Sequence, residues 1–247
     1  MIIGTEIIRF GELPSTNTYC TKLLKDAIPE EGTLVFTDFQ TAGKGQKGNT
    51  WNSQAGKNLL FSVILYPDSV RPEEQFFISM AVSLALCEMN DRYLPGLARI
   101  KWPNDIYLKD DKIAGILIEN SLSGERIESC IAGIGLNINQ VNFPASLKNP
   151  TSLKLLTGKE TDRDECLQYL MKCLDRRYKE LLYGDRMLLR KDYIERLYRI
   201  NELHRFSSAG GPFTGKIKDV SLSGQLIIED ENGNAKEFSF KEVEFIS

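Results

Sequence analysis

In 247 residues there is one histidine, His204. A Ser-His-Asp or Cys-His mechanism, or a metal site built from several imidazoles, would have to run through that single side chain, so histidine-based catalysis is not expected. No stretch reaches the roughly 18 apolar residues that a bilayer-spanning helix needs. The longest apolar run, Leu59–Tyr66, is strand-sized. Met1–Phe10 has no basic start, no long apolar core and no small-residue cleavage site, so no signal peptide is expected. The five cysteines (Cys20, Cys87, Cys130, Cys166 and Cys173) are odd in number and form no CxxC pair. That favours free thiols in a reducing cytoplasm over a disulfide framework or a zinc site. There is no basic excess: 31 Lys and Arg against 34 Asp and Glu give a net charge of −3, which argues against a nucleic-acid partner. What is present, 42% hydrophobic and 26% charged residues, is the balance of a soluble globular protein.

The first two-thirds alternate short apolar runs with helical patterns. Ile7–Phe10, Thr33–Phe39, Leu59–Leu65, Arg99–Trp102, Lys112–Glu119 and Ile127–Ile134 read as strands. Ser15 or Thr16 can cap a helix to about Asp26. Pro72, with Glu73 and Glu74 behind it, opens a helix to about Tyr93, apolar nearly all round and therefore buried on several sides. Residues 164–183 carry a helical apolar stripe. Composition shifts near Phe206: Ser207–Pro212 reads as a linker or turn, followed by four short strands at Thr214–Val220, Gln225–Glu229, Lys236–Phe240 and Val243–Ile246. The expected division is residues 1–205 and a small β-barrel domain at 206–247.

Three segments carry the chemistry. Gln40–Asn58 contains Gly43-x-Gly45-x-x-Gly48. A strand precedes it, but it leads into another strand, so a dinucleotide fingerprint fails on context. A phosphate-loop pattern fails because Asn49 stands where its lysine belongs. The 29 residues from Phe39 to Pro67 hold no Asp or Glu but include Lys44, Lys47 and Lys57. Glycines let backbone N–H groups approach an anion closely, so an acid-free, lysine-bearing glycine loop suits a carboxylate or phosphate; a plain surface loop is the competing reading. Next, Lys101–Asp105 reads KWPND. Asn104 and Asp105 form a natural turn pair and could hold Mg²⁺ through oxygen, and Lys112, at the edge of the apolar Ile113–Glu119 run, could aim a fixed charge into a pocket. A surface turn with a solvated lysine is the plainer alternative. Last, Gly133–Asn139 reads GIGLNIN. Glycines inside a strand mark a bulge or a close ligand, and Asn137 and Asn139 could bond a base or ribose; fraying into an Asn-rich turn is the alternative.

Together, in this order, Ser15-Thr16-Asn17, Gln40–Leu59, Lys101–Asp105, Lys112–Glu119 and Gly133–Asn139 resemble the biotin protein ligases over nearly the whole chain. The family loop often reads GRGRxGR where this one reads GKGQKGN, so Gln46 replaces an arginine that in many members helps hold the bound intermediate. Some members add an N-terminal DNA-binding domain; the 14 residues before Ser15 are too few for one, and no DNA-binding role is expected.

The resemblance implies an α+β fold: a mixed, mostly antiparallel sheet packed with helices, of the biotin/lipoate ligase type related to class II synthetases, plus a C-terminal SH3-like barrel. It implies a cytoplasmic ligase that takes biotin and ATP with Mg²⁺, forms biotinyl-5′-AMP, and transfers biotin to a lysine of a carboxylase's biotin carboxyl carrier domain. Lys112 and Lys44 are the expected catalytic residues. Ser15, Thr16, Gln40, Gly43, Lys44, Gln46, Trp51, Lys112, Gly115, Gly133 and Gly135 would meet biotin. Lys44, Asn49, Asn104, Asp105, Lys112, Asn137 and Asn139 would meet ATP, with Asn104 and Asp105 placing the metal. Phe143 is a candidate cover for adenine. No membrane or nucleic acid is expected as partner, and a homodimer stays open. The RRxxGGGxVYHD loop of lipoate ligases is absent, and retention of both Lys112 and Asp105 argues against a silent biotin-binding regulator. Until biotin arrives, the glycine loop is expected to have little to bury.

Overall fold

A computed structural model describes residues 1–246, the side chain of Lys47 excepted; that lysine's expected charge on the glycine loop lies outside the described residues. The first sheet takes β1 (Ile7–Leu13), β2 (Leu34–Gln40), β3 (Leu59–Leu65), β4 (Ala98–Lys101), β5 (Asp105–Leu108), β6 (Asp111–Ser123) and β7 (Arg126–Leu136) in the order β1-β2-β3-β7-β6-β5-β4. Only β1 and β2 run parallel; every other ladder of this sheet is antiparallel. This is the mixed, mostly antiparallel sheet expected.

Helices cover both faces. α1 (Thr16–Asp26) lies on one, with Cys20 against Val35, Ile64 and Ile131. α2 (Phe76–Asp91) and α4 (Arg163–Tyr183) belong to the larger core on the other. Every residue of β3 is buried, which is why its sequence is apolar at every position but Ser62 rather than alternating. α2 is buried around most of its circumference, as its composition implied. The sequence pattern predicts one helix from Pro72 to about Tyr93; Pro72–Glu74 is instead a separate 3₁₀ turn. The stripe at 164–183 is α4, capped by Asp162, whose carboxylate accepts from the backbone N–H of Asp164 and Glu165. Two helices carry no strong apolar period and were not anticipated: α3 (Leu153–Thr157) and α5 (Arg186–Glu195).

The second sheet holds β8 (Leu203–Ser208), β9 (Gly211–Val220), β10 (Leu226–Asp230), β11 (Ala235–Phe238) and β12 (Val243–Phe245), all antiparallel, in the order β11-β10-β9-β8-β12. It is consistent with an SH3-like domain, although no ladder joins β11 to β12 among the described residues. Ser207–Pro212 is no linker: its ends belong to β8 and β9, which pair with each other, and the turn between them is Ala209-Gly210. With β8 beginning at Leu203, the sheet starts slightly before the expected boundary. Residues 196–198 run beside β4: Ile100 donates to the Arg196 carbonyl and Tyr198 to that of Ile100, both at 2.8 Å.

All five cysteines are free and buried. No helix among the described residues is long and apolar enough to cross a membrane.

Candidate active site

Directly paired residues of neighbouring strands point to one face of a sheet. Lys101 pairs with Asp105, Asp105 with Gly115, Gly115 with Gly135 and Gly135 with Leu60. One step along, Leu117 pairs with Gly133 and Gly133 with Ser62. Both rows lie on the face that α1 covers. Glycine at 115, 133 and 135 removes the side chains that would otherwise fill it, and a cleft of about 290 Å³ results, near the lower end of small-molecule sites.

The side chains that line the inner end of the cleft are polar and uncharged. Ser15 caps α1. Gln40 Oε1 accepts from the Thr16 backbone N–H at 2.8 Å and from its hydroxyl at 3.2 Å. The Ser62 hydroxyl lies 2.7 Å from Thr16 Oγ1 and 2.6 Å from Asn17 Oδ1. Asn17 Nδ2 donates to Glu119 Oε2 at 2.7 Å and to the Leu117 carbonyl at 3.3 Å, which fixes the amide's orientation. A methyl on Gly133 would come within 2.1 Å of Asn17 Oδ1.

The outer end is charged. Lys112 Nζ is 2.7 Å from Asp105 Oδ1 and 5.6 Å from the centre of the Trp51 ring. The ion pair is close, but Oδ1 receives no well-angled hydrogen bond. Asn104 braces β6 from the β4–β5 turn: its Nδ2 donates to the Ile116 carbonyl and its own carbonyl accepts from the Ile116 N–H. Asp105 itself begins β5 rather than sitting in a turn, a strand too short and too polar at its start for the sequence pattern to mark. Burial, aided by the Asp105 charge, pushes the Tyr107 phenol well above its ordinary range.

The glycine loop closes the top. Gly45 N–H donates to the Asn49 carbonyl at 2.7 Å and Trp51 N–H to the Gly43 carbonyl at 3.0 Å. The indole of Trp51 lies over the glycine floor, where a methyl on Gly135 would come within 2.4 Å of the ring and one on Gly115 within 2.8 Å. Trp51 thus packs on the floor, whereas Lys44, Gly48, Asn49, Thr50 and Asn52 are exposed, so apart from the indole the loop buries little. The indole N–H is buried and has no acceptor among the described residues. Such a donor costs about 1–3 kcal/mol, which a ligand acceptor would recover.

The cleft brings together Ser15, Thr16, Gln40, Lys44, Gln46, Asn49, Trp51, Asn104, Asp105, Lys112, Gly115, Gly133 and Gly135. Four expected residues stand apart. Gly43 lies behind the loop, where a side chain would strike the Trp51 carbonyl at 2.4 Å. Asn137 is buried and donates to the Thr151 carbonyl at 2.9 Å. Asn139 is buried and exchanges both amide bonds with the Thr161 backbone. These two asparagines tie the end of β7 to the following segment; they do not line the cleft. Phe143 is half-buried in the loop after β7, also outside it. His204 contacts Arg199 at 2.8 Å, likewise away from the cleft. Asn17 and Ser62 had no assigned role. The signal for Ser62 was available: a hydroxyl in an otherwise apolar strand. Lys241 and Glu244, from the second sheet, also line the cleft, and nothing local in their sequence marks them.

A family model described as the biotin/lipoate A/B protein ligase family matches residues 10–137. The chain belongs to this family. Within this ligase family, the bifunctional ligase/repressor BirA of Bacillus subtilis is 31% identical over 241 residues, spanning 96% of this chain and 74% of that protein. The biotin–[acetyl-CoA-carboxylase] ligase of Paracoccus denitrificans is 28% identical, spanning 89% and 92%. Among solved structures, biotin protein ligase from Aquifex aeolicus in complex with biotin and ATP superposes with a TM-score of 0.81 at 29% identity, covering 98% of this chain and 99% of that one. The ligase-family match contains every first-sheet and loop residue that lines the cleft and stops well before Lys241 and Glu244.

Proposed function

We propose that this protein is a biotin–protein ligase, which activates biotin with ATP and transfers it to a lysine of a biotin carboxyl carrier domain. The observation that carries the reading is the Lys112–Asp105 pair at the rim of a slot floored by three glycines. The glycines let the Trp51 indole and the Asn17 amide lie directly on the backbone as walls of the cleft, which leaves room between them for a flat ring system, and a fixed ammonium at the rim meets the acid that ends the ring's side chain.

In the first step a biotin carboxylate oxygen attacks the α-phosphorus of ATP. The new O–P bond forms as the bond to pyrophosphate breaks. Two anions must meet, so the work is positioning and charge neutralisation. Ser15, Thr16 and Gln40 hold the ureido ring, and Trp51 covers ring and chain. Lys112 leaves Asp105 to bridge carboxylate and α-phosphate, and Lys44 and the loop N–H groups receive the phosphate. In the second step the neutral amine of the acceptor lysine attacks the acyl carbon. A C–N bond forms, AMP leaves and the amine gives up a proton. Neither step needs a protein nucleophile, in keeping with the distance of His204 from the cleft.

No cluster of three metal-ligating side chains occurs among the described residues. One carboxylate, with an amide beside it, fits a Mg²⁺ that arrives on the nucleotide and completes its shell from phosphates. Asp105 and Asn104 would hold it, and it would offset phosphate charge.

The test is biotin-dependent exchange of labelled pyrophosphate into ATP. A ligase gives exchange with biotin; exchange with lipoate alone, or none, would overturn the reading.

A further inference from the structure

Lys101, the first residue of KWPND, does not line the cleft, and the proposed reaction assigns it no part. Its surroundings are unusual for a lysine. The ammonium lies 4.7 Å from the ring centre of Tyr107, 5.2 Å from that of Phe245 and 6.0 Å from that of Tyr198. It donates to the Tyr107 hydroxyl at 3.1 Å. No carboxylate of the described residues forms an ion pair with it. The three rings come from three places: Tyr107 from β5, Tyr198 from the segment after α5, and Phe245 from β12. Tyr107 and Tyr198 also touch each other at 5.3 Å, as do Tyr198 and Phe245 at 5.8 Å.

This cage is one of the contacts that hold the second sheet to the first; Trp102, which donates its indole N–H to the Gly224 carbonyl at 2.9 Å and packs on Phe240 at 5.3 Å, is another. Phe245 follows directly on Glu244, and Lys241 is four residues before Phe245; both of these charged residues line the cleft. On the other side, Lys101 is paired across the ladder with Asp105, the partner of Lys112. The second sheet thus reaches the cleft at its charged end and is fixed there by rings around one ammonium. A desolvated cation held by ring faces is a stronger and more directional contact than the same pair in water. Burial pulls the Lys101 ammonium below its ordinary range, and Lys112, Arg199 and Lys148 push the same way against Asp105.

We infer that Lys101 and Phe245 form a latch that positions the Lys241–Glu244 segment at the nucleotide end of the cleft, making Lys101 a positioning residue for ATP and not for biotin. The inference rests on the ligase reading above.

The experiment is steady-state pyrophosphate exchange on the full chain with Lys101→Met, Lys101→Arg, Phe245→Leu and the Lys101→Met/Phe245→Leu double variant, with melting temperatures alongside. Methionine keeps the bulk of the stem and removes the charge. The usual worth of a cation–π contact corresponds to roughly a three- to thirtyfold rise in KM for ATP. Lys101→Met and Phe245→Leu should each show it, with KM for biotin within about twofold of wild type. The double variant should be no worse than the poorer single one, because both remove the same contact. Lys101→Arg should recover most of the loss, since a guanidinium also stacks on rings. An unchanged KM for ATP in Lys101→Met would overturn the latch. So would a defect in Lys101→Met with a normal Phe245→Leu, which would mean that the ammonium touches ATP directly. A parallel rise in both KM values with a falling melting temperature would also overturn it, because the role would then be structural. Absence of biotin-dependent exchange in the wild type would instead defeat the ligase reading itself.

Discussion

The bareness of the cleft floor can be tested with a single methyl group. In Gly135→Ala the new Cβ would lie 2.4 Å from Trp51 Cε2 and 2.7 Å from both Cζ2 and Nε1. Three ring atoms inside van der Waals contact cannot be relieved by a small tilt, and the Trp51 backbone is tethered to Gly43. The ring must lift off the floor, or β7 must bow. Either way the slot closes to a ring-shaped ligand. Overpacking of this kind costs about 1–3 kcal/mol, or roughly 5- to 150-fold in biotin affinity at about 1.4 kcal/mol per factor of ten. Gly115→Ala should be milder, because its closest ring contacts are 2.8 and 3.3 Å. Gly11→Ala is the control: it sits on β1 with nothing within 4 Å of the added carbon, and biotin binding should not change. Titration calorimetry with biotin on the three variants measures the order directly. If Gly135→Ala bound biotin as the wild type does, or if Gly115→Ala were the worse of the two, the floor would not be the biotin slot.

Lys112→Ala should retain its fold by circular dichroism, since the residue is polar and near the start of β6, yet lose about two to four orders of magnitude in exchange rate; near-normal turnover would remove Lys112 from the mechanism. Gln46→Arg restores a charged side chain at the cleft rim, and charge-assisted bonds are about twice as strong as neutral ones, so chase experiments should show biotinyl-AMP leaving at least several-fold more slowly; an unchanged release rate would leave Gln46 without a part in retention. Asp175, on α4, accepts from the backbone N–H groups of Ile2 and Ile3 and from Lys179 at 2.9 Å. Burial pushes its carboxyl up, but the Lys179 bond, the two amides and the Lys179 charge outweigh that and hold it below the usual range. A depressed carboxyl contributes stability that is present above its unfolded pKa of about 3.9 and is lost as pH falls through the folded value. Urea denaturation should therefore show wild type more stable than Asp175→Asn by the same margin at pH 7 and pH 5, and the margin should shrink at pH 3; an equal margin at all three would refute it.

Which features were legible in the sequence follows from how local their causes are. β3 and α2 could be read because burial on two faces leaves a continuous apolar record, and α4 because its stripe and its Asp162 cap sit within one segment. β5 could not: Asp105–Leu108 is four residues long and begins with an aspartate that also reads as a turn. The cleft divides along the same line. Gly133 and Gly135 stand out because a glycine in a strand is locally costly and demands a reason, whereas Gly115 is marked only by the resemblance to the ligase family. Asn137 and Asn139 stand outside the cleft, and an asparagine's sequence neighbours do not say whether its amide faces a ligand or a backbone; here Asn137 Nδ2 bonds the Thr151 carbonyl and the Asn139 amide bonds the Thr161 backbone. Lys241 and Glu244 lie beyond any local inference, since only docking of the second sheet brings them to the cleft. That docking has a physical consequence of its own. The glycine slot and its polar inner end are built by the first sheet, α1 and the loop that carries Trp51, whereas the charged end borrows from a second sheet held by packing. Perturbing that packing should therefore reach the nucleotide end of the cleft and leave the biotin end intact, a separation that neither half of the sequence discloses alone.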